Sequence, residues 1–138
     1  MSGREATSFT HSVHPGAAVV QAHGELDVAT APAFRAAVQT AVDTGRPLVV
    51  VDLGHVSFLD SAALSVLFAA QRALPVTQRL TLVDVPDRMR RMLRVAGVDA
   101  VIDVHGPGAP RPWIDDGHHP GAGPDAEPDG GRGGSVDR

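Results

Sequence analysis

The chain has no cysteine, no lysine and no tyrosine, and a single tryptophan joins its four phenylalanines. Without cysteine there is no disulfide, no thiolate zinc site and no thiol nucleophile, a composition suited to a reducing cytosol. All 12 basic residues are arginine, which we attribute to the coding bias of a GC-rich genome rather than to function. The formal net charge is −4, so the molecule lacks the basic footprint that nucleic acid selects. No apolar run approaches the ~18–20 residues of a membrane span. The opening MSGREATSFTHS lacks the apolar stretch of a signal peptide. These absences predict a cytoplasmic protein with no membrane contact and no direct nucleic-acid contact.

What is present suffices for one domain. At 138 residues and 43% hydrophobic content, a single core can form. Residues 106–138 stand apart, with nine glycines, six prolines and three arginines against six acids. Such a stretch buries too little apolar surface to offset its ordering entropy, and a disordered acidic tail is predicted there. Residues 1–7 are read as a flexible lead-in and residues 8–105 as the folded domain.

Within the domain the hydrophobic period switches between two and 3.6. Residues 8–13 alternate, Pro15-Gly16 marks a turn, and residues 17–26 resume as a strand, which predicts a hairpin. Thr30 is placed to cap a helix carrying Pro32 in its first turn. Phe34, Ala37, Val38, Ala41 and Val42 form its apolar stripe, and Gly45 stops it. The run 48–51 reads as a buried strand, broken at 52–55 where Gly54 permits a tight turn. Val56, Phe58 and Leu59 then lead to Asp60-Ser61, with Ser61 in the N-cap position of an Ala/Leu-rich helix ending before Pro75.

Leu64, Leu67 and Phe68 of that helix are assigned to the core. Residues 79–83 read as a fourth strand. A third helix opens at Pro86-Asp87, with Met89, Met92, Leu93 and Ala96 on one face and Gly97 at its end. Residues 101–104 form a last short strand. The order β-β-α-β-α-β-α-β predicts an α/β fold, with a mostly parallel sheet, right-handed crossovers and one antiparallel hairpin partner.

Chemistry-bearing clusters are few. His11 with His14, and His118 with His119, have no acidic or histidine partner at a fixed spacing, so no metal site is expected. His55 and Ser61 do not lie in a G-x-S-x-G elbow, and no catalytic residue, cofactor or enzymatic activity is expected. Arg88, Arg90, Arg91 and Arg94 give the third helix a basic side, read as a solvated face.

Two segments carry a more specific signal. Residues 24–35, GELDVATAPAFR, and residues 49–64, VVVDLGHVSFLDSAAL, resemble the signature blocks of STAS-domain proteins of the anti-sigma factor antagonist type. The likeness spans residues 8–104. It implies a STAS-like α/β domain, with helices packed on a four- to five-stranded mixed sheet. It also implies binding to an anti-sigma factor that is itself a serine kinase, which releases the sigma factor. In that family the serine after the Asp of the second block is phosphorylated, binding weakens, and a serine phosphatase reverses the change.

By position that serine is Ser61, preceded by Asp60, and Asp27 matches the acidic residue of the first block. Partner contact is expected at Asp27, Asp60, Ser61, Ala62 and Ala63. The family's run after the Asp is Ser, Ser or Thr, Gly, Leu, whereas here it is Ser61, Ala62, Ala63, Leu64. In ordinary helix, Ala at 63 is better than Gly by about 0.8–1 kcal/mol. Where a partner's backbone approaches closely, the added methyl obstructs. The alternative reading keeps the fold and makes the chain a non-phosphorylated STAS scaffold subunit of another signalling or lipid-transport complex.

Overall fold

Residues 17–26 and 48–59 supply the two longest strands, and they pair in parallel at the heart of a five-stranded sheet. The computed structural model describes residues 6–115. In chain order its elements are β1 (Ser8–His14), β2 (Ala17–Leu26), α1 (Ala31–Asp43), β3 (Leu48–Leu59), α2 (Ser61–Ala73), β4 (Arg79–Val83), α3 (Asp87–Val95), β5 (Asp103–Val104) and α4 (Pro112–Asp115). A short 3-10 turn, Val98–Ala100, precedes β5. The strands lie in the order β1-β2-β3-β4-β5; β1 is antiparallel to β2 and the other pairings are parallel. The predicted order and the mostly parallel mixed sheet are what the structure has.

Strand alternation divides the buried residues into two sets. Val20, Val49, Val51 and Leu82 point to one face, where they pack with Phe34 and Val38 of α1, Val66 and Leu67 of α2, and Met89 and Leu93 of α3. All three long helices therefore cover the same face. Phe9 of β1 extends this core by stacking on Phe34, with ring centroids 5.9 Å apart. The alternate set, Ala17, Val19, Val50 and Val83, faces the other way and packs with Trp113.

Several local expectations shift. The break expected at 52–55 is not a loop, because β3 runs unbroken from Leu48 to Leu59. Against β2 it carries two register shifts, between Gln21 and His23 and between Gly24 and Glu25. Each shift puts an extra residue into β3, the signature of a bulge. Asp52 Oδ1 accepts the Gly54 amide at 2.8 Å, satisfying a donor the bulge takes out of the ladder. Ala96 is the exposed C-cap of α3 rather than part of its inner face. The last strand shortens to Asp103–Val104, with Ile102 buried just before it.

The boundary expected at His105 falls inside the packed body. Trp113 is 7% exposed, and Arg111 forms ion pairs with Asp52 and Asp84. Average composition hid one aromatic and one arginine with partners far back in the chain. Residues 1–5 and 116–138, which include most of the predicted lead-in and tail, lie outside the described residues.

Candidate functional site

The site forms where β2 and β3 end side by side. Leu26 and Leu59 are register partners, and the Asp60 amide donates to the Leu26 carbonyl at 3.1 Å. That bond sets the residues just beyond it, Asp27 and Ser61, at the same end of the sheet.

Asp27 sits in a reciprocal turn. Its amide donates to Thr30 Oγ1 at 2.9 Å, and its Oδ1 accepts the Thr30 amide at 3.1 Å. Thr30 Oγ1 also donates to the Glu25 carbonyl at 3.0 Å. Thr30 is the N-cap of α1, as expected, but its side chain makes no cap bond to that helix and ties down the preceding turn instead.

The cap of α2 also differs from expectation by one residue. Asp60, in extended backbone, is the N-cap, and its Oδ1 accepts the amides of Ala62 at 2.9 Å and Ala63 at 3.4 Å. Aspartate and serine are comparable caps, and Asp60 comes first. Ser61 is therefore the first helical residue. It is exposed, and its hydroxyl makes no hydrogen bond among the described residues.

The five residues expected to meet a partner separate on burial. Ser61 is exposed, while Asp27, Asp60 and Ala62 are half-buried. Ala63 is 0% exposed and belongs to the core behind the helix. Its methyl cannot meet a partner, so the obstruction considered for that position does not arise. Leu67 is fully buried, with Leu64 and Phe68 packed against the same core.

Two apolar neighbours of the site are exposed, an exposure the sequence pattern does not announce. Val28 is 75% exposed beside Asp27, and Phe58 is 48% exposed on the approach to Ser61. Phe58 lines a shallow concavity with Ser57, Leu59, Arg88, Met89 and Met92.

No group of three or more His, Cys, Asp or Glu residues that could hold a metal ion occurs among the described residues. His23 and His55 stack across β2 and β3 with centroids 5.0 Å apart. No helix among the described residues is long and apolar enough to cross a membrane.

Comparison with known proteins agrees with this architecture. A family model described as "Mlab, STAS domain" matches residues 9–103. The anti-sigma-F factor antagonist RsfB of Mycobacterium tuberculosis is 30% identical over 99 residues, 72% of this chain and 81% of that protein. An anti-sigma-B factor antagonist of Listeria monocytogenes is 30% identical over 82 residues, 59% of this chain and 72% of its own. Among solved structures, an anti-sigma factor antagonist from Mycobacterium paratuberculosis superposes with a TM-score of 0.69 at 30% identity, covering 76% of this chain and 90% of that one.

Proposed function

Because the chain belongs to the STAS-domain family, with relatives that are anti-sigma factor antagonists, we propose that it antagonises an anti-sigma factor and is switched by phosphorylation at Ser61. The partner in this reading is an anti-sigma factor with serine kinase activity, bound so that its sigma factor is released. A serine phosphatase restores the binding form. The chain itself is a binding protein, not an enzyme.

The observation that carries the reading is the state of Ser61. Asp60 serves as the helix cap, so the neighbouring hydroxyl is left exposed and, among the described residues, unbonded. A kinase can reach it. Its oxygen would attack the terminal phosphoryl group of ATP, losing its proton as ADP departs. The product adds about −1.5 to −2 charges at pH 7. These charges arise between Asp60 and the neighbouring Asp27 turn. A partner surface fitted to a neutral hydroxyl then meets a dense anionic spot, and like-charge juxtaposition costs several kcal/mol. At about 1.4 kcal/mol per decade of affinity, release follows without refolding.

The test is a titration of wild type, Ser61→Ala and Ser61→Asp against the purified anti-sigma kinase. Ser61→Ala should bind like wild type and accept no phosphate, and Ser61→Asp should bind at least tenfold more weakly. Undiminished binding by Ser61→Asp would sink the switch. The matching family model's description, Mlab, favours a second reading, a scaffold subunit in another complex. Under that reading affinity capture recovers a complex without a kinase, and Ser61 variants leave it unchanged.

A further inference from the structure

The sheet has two faces, and the three long helices cover only one. On the other, among the described residues, the apolar patch of Ala17, Val19, Val50 and Val83 is covered by Trp113. Beside it lies the carboxylate of Asp52, 1% exposed. Asp52 accepts from Gln21 Nε2 at 3.3 Å and from Arg111 at 3.2 Å. The same guanidinium pairs with Asp84, a non-glycine residue held at φ 54°. Two carboxylates and an apolar patch thus receive one guanidinium and one indole, spaced two residues apart.

The segment that brings them is anchored by those two side chains, and its lead, residues 106–109, lines an open concavity with Asp87 and Arg90 of α3. Among the described residues, residues 106–113 share one backbone-donated hydrogen bond with the rest of the fold, from the Gly108 amide to Asp84 Oδ1 at 3.4 Å. The lead, Gly106-Pro107-Gly108-Ala109-Pro110, adds no strand or helix. A strap held at two points by side chains, on a lead of glycine and proline, can leave as a unit while its seat keeps its shape.

We propose that this outer sheet face is a segment-binding site for an arginine and a tryptophan two residues apart, filled in cis by residues 111–113 and open in trans to the same segment of a second copy. The contacts made in trans are identical to those made in cis, so exchange between copies creates no new interface to evolve. The balance is set by the effective concentration of the tethered segment, about millimolar for a short lead.

The sole tryptophan supplies the probe. The full-length Trp113→Phe chain contains neither tryptophan nor tyrosine, so emission comes only from an added peptide spanning residues 106–115. The peptide's emission should shift to the blue and saturate with that chain. A peptide carrying Arg111→Gln should bind at least tenfold more weakly, and Asp52→Asn in the chain should shrink that difference. Full-length Trp113→Ala, whose own strap lacks the indole, should bind the native peptide at least tenfold more tightly than Trp113→Phe does. Should Trp113→Ala fail to fold, the first two comparisons decide. In wild type, sedimentation should show a dimer rising toward ~1 mM and dissolving with excess peptide. An unshifted emission, equal binding of the Arg111→Gln peptide, or a wild-type monomer throughout that range would overturn the proposal.

Discussion

The Asp60 carboxylate accepts the Ala62 amide at 2.9 Å across the mouth of α2, which places the capping work one residue before Ser61. Asp60→Ala removes that cap and should cost about 1 kcal/mol of stability. Ser61→Ala, at an exposed position without side-chain hydrogen bonds among the described residues, should stay within about 0.5 kcal/mol of wild type. Urea unfolding of the two variants separates a structural residue from its functional neighbour.

Ala63 allows the family pattern to be restored as an experiment. Its methyl is buried in the core, so Ala63→Gly loses helix propensity of about 0.8–1 kcal/mol and buried apolar area worth about 0.8 kcal/mol. Stability should fall by roughly the sum, ~1.5–2 kcal/mol, while affinity for the anti-sigma factor stays within about twofold, equivalent to ~0.4 kcal/mol. Denaturant midpoints and a binding titration on the same preparation read both effects.

Gly24 is the glycine the site cannot replace. It sits at φ 96°, and an added Cβ would lie 2.9 Å from Thr7 Cα. The Thr7 hydroxyl in turn accepts the Glu25 amide at 3.2 Å and donates to the Glu25 carbonyl at 2.9 Å. Gly24→Ala should cost at least ~1–3 kcal/mol from the backbone conformation alone, measurable as a lowered thermal midpoint.

Thr30 secures Asp27. Thr30→Val keeps the shape but removes the hydroxyl that accepts the Asp27 amide and donates to the Glu25 carbonyl. Stability should drop by about 1–3 kcal/mol as the Asp27 amide loses this acceptor, while the Glu25 carbonyl keeps the Thr7 hydroxyl. If Asp27 contacts the partner, affinity for the anti-sigma factor should fall further than stability explains, and titrating Thr30→Ser as the hydroxyl-retaining control checks this.

The strap makes one truncation costly. A chain ending at His105 leaves Val19, Val50 and Val83 without Trp113 and Asp52 without its guanidinium. Loss of the indole alone compares with a buried Trp→Ala change, about 3–5 kcal/mol. A chain ending at Asp115 should exceed it in stability by at least that much, as read by guanidinium unfolding.

Element order was legible because it depends on local period. The stripe from Phe34 to Ala41, the run into β3 and the alternation of β2 each announce their own geometry. The place of Ser61 after a strand and before an apolar helix suggests only a cap, which is Asp60; its candidacy as a site rests on the family resemblance of residues 49–64. What escaped depends on partners distant in sequence. Asp52 and Gly54 look like a turn unless β3 is known to carry two extra residues as bulges against β2. Ala62 and Ala63 look alike in the sequence, and only the core behind α2 distinguishes them. Trp113 sits in a segment whose average composition argues for disorder, and its seat is assembled from β2, β3 and β4.

Strand order in the sheet equals strand order in the chain. Each strand therefore adds to the edge completed just before it, and no strand waits for a later one to be inserted between earlier neighbours. Synthesis runs from the N-terminus and domains acquire structure in that direction. A nascent chain can thus build this sheet strand by strand as it emerges, with each open edge covered by the next strand to appear. The link from Arg111 back to Asp52, 59 residues apart, is expected to close last, after the sheet it crosses is complete.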